Sequence, residues 1–323
     1  MIKTFLITLT VLMINNFNIG NSNIKYFELI EQAKIAYEKK DYRTSAKKYN
    51  QALRIFGKNS WDIDRYNAAC AFALSNQVNA SFKQLFILVE DKKYNDYDQM
   101  VQDPDLSTLH TDKRWREITT KVKLNKKNSE KNYNNYLIAE LDTIFKNDQE
   151  PGMISDQLVK KFGIDSDEVN AYEVVIQEKM AENLAKVKKI ITKYGWLGPD
   201  IIGERGNATL FLVIQHADLK TQLYYLPIIK EALKKGRVKP RDLAFLEDRI
   251  AIGKGEKQIY GSQITAKPGT RNLYVYPMIN PVNVDKRRIS VGLRPIAPYI
   301  KRRFGIIWNI EKHLKRIAEF EAK

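Results

Sequence analysis

Apolar residues recur at helical spacing along most of the chain, and this pattern predicts a mainly α-helical protein. Between residues 26 and 53, one apolar stripe is followed by a tight turn at Lys40-Asp41 and by a second stripe. A second helix pair follows, with its turn at Ser75-Asn76-Gln77. Small residues recur 36 positions apart in the two pairs, at Ala33 and Ala69 and again at Ser45 and Ser81. The recurrence predicts a helical repeat.

This stretch resembles the tetratricopeptide repeat, a helix pair whose small residues allow the two helices to approach closely. The resemblance covers residues 26–89, and Tyr66-Asn67-Ala68-Ala69-Cys70 is its most characteristic part. Lys40 and Asn76 stand where the family has a turn glycine. We expect a tetratricopeptide-like array over residues 23–123, in which 102–123 form a capping helix pair. The resemblance implies a concave helical surface for a protein or peptide partner, and an ordinary helical bundle is the alternative.

A second helical domain is predicted over residues 136–323, after a linker at 124–135 that is rich in Lys, Asn and Ser. Ser166 and Gly195 are the expected N-cap and C-terminal stop of its clearest helix. Helical periodicity appears at 137–145, 155–162, 166–194, 207–235 with a break near Pro227, and 240–252.

The residue composition changes after Gly253, and Gly, Pro, Tyr and Asn dominate as far as Tyr299. Within this stretch only residues 272–277 alternate as a strand does. We therefore expect a long irregular segment with at most a small β-hairpin, followed by a closing helix at 307–322. Irregular segments on a helical scaffold are often the places where binding sites are built.

The first 22 residues have the order of an export signal. Lys3 supplies the positive charge, residues 5–14 form an apolar run, and Gly20 and Ser22 are small residues at the −3 and −1 positions for cleavage. Roughly ten apolar residues are too few for a stable membrane span. We expect a signal peptide at 1–22 and a mature chain that starts at Asn23, has no membrane span and resides in a periplasm or outside the cell.

The chain carries a strong positive net charge, and its sequence contains no recognisable metal or cofactor motif. The chain has 54 Lys and Arg against 38 Asp and Glu, a formal charge of +16. The lysines are spread along the whole chain, and export also argues against nucleic acid as a partner. The single cysteine, Cys70, is predicted to be a buried apolar residue. The three histidines are too far apart for a zinc motif, and no P-loop or Gly-x-Ser-x-Gly elbow occurs, so no metal or cofactor is expected.

Several short polar motifs stand out in the second half of the chain. As a set, they resemble a bacterial domain family of unknown function. The resemblance covers residues 171–299 and implies no activity. Its parts are the turn Tyr194-Gly195-Trp196, the helix end Gln215-His216-Ala217-Asp218, the pair Asp248-Arg249, the loop Gln258-Ile259-Tyr260-Gly261-Ser262-Gln263, and Arg287-Arg288 in the stretch 285–293.

These motifs permit one catalytic and one structural interpretation. His216 and Asp248, or Glu247, have the residue types of a base with its orienting carboxylate, which would make a hydrolase site. The candidate ligand-binding residues around them are Gln215, Arg249, Gln258, Tyr260, Arg287 and Arg288, with the arginines available for an anionic group. In the structural alternative, Arg249 pairs with Asp218 or Asp285 in a satisfied network.

The densest basic cluster, residues 286–303, is a candidate for binding phosphate or an acidic glycan, and a solvated charged surface is the alternative. From the sequence alone, the leading interpretation is an exported interaction protein that binds a protein or peptide through its repeat surface. A small anionic ligand is a further candidate partner. A hydrolase centred on His216 is the alternative function.

Overall fold

A computed structural model of the chain describes residues 22–266 and 272–322. They fall into two compact units, of which the first ends at Lys131 and the second begins at Asn132. Helices make up both units, with one small two-stranded sheet in the second, so the predicted mainly α fold is confirmed. The predicted signal peptide lies outside the described residues except for Ser22, which is the first described residue of α1. Across the described ranges, every helix is too short or too polar to traverse a lipid bilayer.

The N-terminal unit is built around a central helix, α3, which packs against α2, α4 and a 3-10 helix. Its apolar side chains, among them Tyr66 and Ala69, form the core of the unit with Leu85, Leu106 and Ile118 from other elements. The helices are α1 (22–38), α2 (Tyr42–Phe56), α3 (Asp62–Leu74), α4 (Val78–Phe86, continued by a π-helical turn at Ile87–Asp91), α5 (Tyr97–Gln102) and α6 (Lys113–Glu130), and the 3-10 helix spans Pro104–Leu109.

The pairs α1–α2 and α3–α4 have the same internal hydrogen bond at the recurring small residues. Ser45 Oγ donates to the Ala33 carbonyl at 2.9 Å, and Ser81 Oγ donates to the Ala69 carbonyl at 2.7 Å, both in buried surroundings. Because Ala33 and Ala69 have small side chains, the second helix of each pair lies close enough for a serine hydroxyl to reach the backbone of the first.

The turns of the two pairs also match. Lys40 and Asn76 both adopt the left-handed conformation, with φ of 61° and 60°. The next N–H in each turn, that of Asp41 or Gln77, donates to the carbonyl five residues earlier, at 2.9 and 2.8 Å. The sequence recurrence at 36 residues therefore corresponds to a recurrence of local structure.

The predicted capping pair and linker differ from the structure in detail. The chain forms a 3-10 helix at Pro104–Leu109 in place of a first capping α-helix, and Asp103 caps it by accepting from the Asp105 N–H at 3.0 Å. Residues 124–130 of the expected linker belong to α6. The helix continues because Asn125 Nδ2 donates to the Val89 and Tyr94 carbonyls at 2.8 and 3.0 Å, which holds this part of α6 against the unit.

The C-terminal unit combines a helical bundle with a smaller layer. Leu141, Val187, Leu210 and Ile229 are among the buried residues of the bundle core, and Val275 and Ile296 belong to the core of the smaller layer. The elements are α7 (Asn135–Phe162), α8 (Asp167–Tyr194), α9 (Pro199–His216), α10 (Leu219–Lys234), α11 (Pro240–Gly253), the antiparallel strands β1 (Ile264–Ala266) and β2 (Leu273–Val275), α12 (Val284–Ser290), α13 (Ile296–Phe304) and α14 (Ile310–Glu321).

Two helix boundaries correct the sequence prediction. The helices expected at 137–145 and 155–162 are one helix, α7, which continues through Pro151. The break expected near Pro227 lies instead at Ala217-Asp218, where Asp218 accepts from the Thr221 N–H at 2.8 Å and so caps α10. A proline inside a helix removes one hydrogen bond, and α10 tolerates this loss at Pro227.

Candidate functional site

The loop at residues 259–262 is held by one buried carboxylate. Asp248 on α11 has no exposed surface, and it accepts from the backbone N–H groups of Ile259, Tyr260 and Ser262 at 2.6, 2.8 and 2.9 Å. Gly261 lies inside this turn with φ of 69°, and a Cβ at this position would come within 2.7 Å of Ile296 Cδ1. Asp248 is therefore fully engaged in fixing the loop backbone.

Gln258 performs a similar task at the start of the loop. Its side chain is fully buried, and Nε2 donates to the carbonyls of Gln263 and Tyr276 at 3.0 and 2.7 Å. Its Oε1 accepts from the Gln263 N–H at 2.8 Å. Gln258 thus joins the loop to the chain segment that follows β2.

The two arginines of α12 bind the carbonyl groups of the same region. Arg287 Nε donates to the Ile259 carbonyl at 2.9 Å, and its two terminal nitrogens donate to the carbonyls of Ile279 and Asn280. Arg288 NH1 donates to the Tyr260 carbonyl at 2.7 Å, and its guanidinium lies 4.6 Å from the centre of the Tyr299 ring. Both predicted anion-binding arginines are occupied by backbone.

Burial shifts the pKa values of these groups in the direction that favours the neutral form of each. Burial raises the pKa of the Asp248 carboxyl above its usual value, against the opposing effect of the three N–H donors. Burial lowers the pKa of Arg288 to about 10. Burial also raises the pKa of the Tyr260 hydroxyl, which lies near the negative charges of Glu247 and Asp248. A buried charge is strongly destabilised when its partners are removed, so the cluster depends on being complete.

His216 stands apart from this loop and has a different carboxylate as its partner. Its Nδ1 lies 3.1 Å from Oδ1 of Asp148 on α7, a pairing that replaces the predicted one with Asp248. The Asp148 side chain is 3% exposed and the His216 side chain is 32% exposed. A histidine that is oriented by a buried carboxylate and partly open to solvent has the geometry of a general base.

The backbone around His216 is fixed on both sides. Gln222 Nε2 donates to the carbonyls of Gln215 and Ala217, each at 2.8 Å, and Asp218 caps the next helix. The buried side chain of Asn183 on α8 donates to the carbonyl of Ile144, one helical turn before Asp148. The end of α9 is therefore a rigid position for the imidazole.

The structure thus brings together Asp248, Gln258, Tyr260, Arg287 and Arg288, and within the described part of the chain no hydrogen bond or ion pair joins His216 to any of them. The carboxylates proposed as partners of Arg249 are engaged elsewhere: Asp218 accepts from Thr221 N–H, and Asp285 accepts from Ile296 N–H. Arg249 Nε is buried with no partner among the described residues. Gln215 is buried, and its carbonyl helps to hold the end of α9.

Asp148 is the residue that the sequence interpretation missed, although the sequence contains a signal for it. The buried positions of α7 are Leu137, Leu141, Ile144 and Pro151, at spacings of four, three and seven residues. Asp148 divides the last interval into steps of four and three, so it lies on the same helical face. A carboxylate in an apolar helical stripe needs a polar partner, because an unpaired buried charge is strongly unfavourable.

Comparison with curated proteins gave no match, and comparison with solved structures gave none either. The model of one protein family matches residues 140–305, which include Asp148, His216, the 259–262 loop and both arginines of α12. The family is described as a family of unknown function, DUF6624. Its match ends before α14 and covers more than half of the chain. The chain therefore belongs to the DUF6624 family.

Proposed function

We propose that the protein is an exported binding protein whose N-terminal unit is a tetratricopeptide-like scaffold for a protein or peptide partner. The observation that carries this proposal is the recurrence, 36 residues apart, of the same turn and the same buried serine-to-carbonyl hydrogen bond in α1–α2 and α3–α4. Helix pairs of this kind stack into scaffolds whose exposed faces bind other proteins.

One face of this scaffold is covered by the chain itself. Tyr66 OH donates to Asp103 at 2.9 Å, Tyr37 OH donates to Asp105, and Leu106 of the 3-10 helix is fully buried. Since these contacts occupy the side of α1 and α3 that carries both tyrosines, a partner has to use another face.

The exposed face of α2 is the surface that we assign to the partner. Arg43, Lys47 and Arg54 are exposed, and their spacings of four and seven residues place them on one side of the helix. Helix α2 contains no acidic residue, and within the described ranges these three cations form no ion pair. A row of unpaired cations is complementary to an acidic partner segment.

The test begins with a photo-reactive residue at Asn50, which is exposed between Lys47 and Arg54. We expect it to crosslink one partner in cells that make the protein, and the purified partner to bind the mature chain. Reversing Arg43, Lys47 and Arg54 to glutamate should weaken that binding by at least about tenfold.

The matched control reverses three exposed lysines of the C-terminal unit, Lys254, Lys286 and Lys301, which changes the net charge equally. Binding should persist in this control. Equal losses in both triple variants, or no adduct at position 50, would overturn the assignment of α2 as the partner surface.

A hydrolase centred on His216 is the second candidate, and the specific observation in its favour is the 3.1 Å contact between His216 Nδ1 and the buried carboxylate of Asp148. In such a pair the carboxylate orients the imidazole, and the second ring nitrogen is available to take a proton from a nucleophile or water. The rigid backbone at Gln215 and Ala217 would keep this nitrogen in place.

This candidate is tested by measuring hydrolysis of ester, amide, phosphoester and glycoside substrates. If one is cleaved, His216→Ala should abolish the activity, and Asp148→Asn should lower kcat by about 100-fold because the imidazole loses its orienting charge. His110→Ala in the other unit is the control. Activity that survives His216→Ala in a folded protein would eliminate this site.

A further inference from the structure

A cleft in the C-terminal unit lies between β2 and α14. It has a volume of about 740 Å³ and is joined by a neighbouring cavity of about 390 Å³, with Asn272, Leu273, Lys312 and Arg316 common to both. We call the two together the α14 cleft. Each part alone is in the size range of sites that hold small ligands. The larger part is also lined by Tyr274, Tyr276, Lys315, Glu319 and Phe320 and the smaller part by Phe304 and Trp308.

Aromatic rings line both sides of the α14 cleft, with Tyr274 and Tyr276 at β2 and Phe320 on α14. The rings of Tyr276 and Phe320 meet edge to face, with centroids 5.6 Å apart, and the Arg316 guanidinium lies 4.8 Å from the centre of the Tyr274 ring. Trp308 lines the smaller cavity and is half-buried. Partly exposed rings of this kind offer flat apolar faces to a ligand while their edges stay fixed by neighbours.

Cations without ion-pair partners also line the cleft, on the α14 side. Lys312, Lys315 and Arg316 line the cleft, and within the described residues none of them forms an ion pair. Glu319 is the carboxylate of the lining, so the lining carries three positive charges against one negative. A concave surface with an excess of one charge attracts ligands of the opposite charge.

A buried histidine lies against Trp308, one of the aromatic residues of the lining. His313 has no exposed surface, its ring centroid lies 5.0 Å from that of Trp308, and both of its ring nitrogens lack hydrogen-bond partners. Unsatisfied buried polar groups are rare in folded proteins. Packing alone would favour an apolar residue at this position, so packing does not explain why α14 carries a histidine there.

We propose that the α14 cleft binds a short acidic oligosaccharide. A pyranose ring presents apolar C–H faces, which suit the negative faces of aromatic rings, and its carboxylate groups suit the lysines. A phosphate group alone would satisfy the positive charge, but it offers no ring face to Tyr276 and Phe320, so the aromatic lining favours a charged sugar. The two parts of the cleft lie on both sides of Lys312 and Arg316, which fits a ligand with several rings along its length.

The test is a titration of the mature full-length chain with tri-galacturonic acid, followed by calorimetry and by tryptophan fluorescence. We expect saturable binding that weakens as salt concentration rises, because exposed charges are screened. The fully methyl-esterified trisaccharide, which has the same rings without the charges, should bind at least about tenfold more weakly. Trp308→Phe should remove most of the fluorescence change while calorimetric binding remains.

Two variants and a matched control locate the site. The double variant Lys312→Gln/Lys315→Gln should weaken binding at least about tenfold, and Tyr276→Leu should weaken it without altering its salt dependence. The control Lys254→Gln/Lys286→Gln removes the same charge from exposed positions outside the lining and should bind normally. No saturable binding, equal binding of the esterified sugar, tighter binding of adenosine monophosphate, or equal losses in both double variants would overturn the proposal.

Discussion

A buried histidine should make the stability of the C-terminal unit depend on pH. His313 is fully buried, and its burial, together with the nearby charge of Arg316, lowers its pKa to about 4 from the usual 6.5. Between these two values the unfolded chain binds a proton that the folded chain does not. The free energy of unfolding therefore rises with pH in this window, and His313 reduces stability as the pH falls from 6.5 towards 4.

Replacing His313 should remove this contribution. At about 1.4 kcal/mol for each pKa unit, His313 lowers the free energy of unfolding by about 3 kcal/mol near pH 4. We expect His313→Phe and His313→Gln to lose less stability than the wild type between pH 7 and pH 4, in urea unfolding experiments. Only His313→Phe should be more stable than the wild type at pH 7, because it also removes the unsatisfied ring nitrogens. Wild-type pH dependence in both variants would contradict this account.

Individual polar residues were easier to identify from the sequence than their partners. Gln258, Arg287 and Arg288 were expected to gather with Asp248, and they do, but they bind backbone groups of the 259–262 loop. Residue types show which side chains need partners, whereas local sequence does not show whether a partner is a ligand or the chain's own backbone. Asp148 could not be identified as the partner of His216 from local sequence, because it lies 68 residues earlier and the two meet only when α7 packs against α9.

At the scale of a single element, the 259–262 loop should depend on the charge of Asp248. Asp248→Asn keeps the size of the side chain but leaves at most one good acceptor for three N–H groups. We expect a loss of about 3 kcal/mol in the free energy of unfolding, measured with urea, because a buried charge-assisted network is broken.

Asp242 provides the control on the same helix. It is only partly buried, near the start of α11, and Asp242→Asn should cost about 1 kcal/mol or less. If the two substitutions have equal effects, the loop does not depend on the carboxylate at position 248.

Helix ends were predictable where a capping residue marks them. Ser166 caps α8 by accepting from the Val169 N–H at 3.3 Å, and Gly195 ends it with φ of 70°, both as predicted. The prolines were misleading, since Pro151 and Pro227 lie within continuous helices. A cap supplies hydrogen bonds that only a helix end can use, whereas one missing hydrogen bond can be compensated by packing.

The whole molecule divides at the turn that follows α6, because each side has its own apolar core. Lys131 is exposed in this turn. We expect brief treatment with trypsin to cut first after Lys131 and to leave two fragments that resist further digestion. Lys131→Gln should slow this first cut. Early cuts within α3 or α9 would show that the two units are not separately stable.

The fold class was predictable because helical periodicity extends over most of the chain and only residues 272–277 alternate. The short helices α12 and α13 were not anticipated. They lie in the stretch rich in Gly and Pro, and their buried residues are few, such as Val284 and Arg288 in α12 and Ile296 and Ile300 in α13. Their helical form depends on tertiary contacts with the 259–262 loop, which local pattern does not reveal.

Export with cleavage after Ser22 should leave the described architecture unchanged, because the first buried side chain among the described residues is that of Tyr26. Such cleavage would remove none of the buried residues that the structure describes in the N-terminal unit. When the full chain is expressed in a bacterium, we expect mass spectrometry of the exported protein to find an N-terminus at Asn23. Leu9→Arg should block export, because a charge interrupts the apolar run, and full-length precursor should accumulate inside the cell. An exported protein that retains residues 1–22, or normal export of Leu9→Arg, would refute the signal peptide.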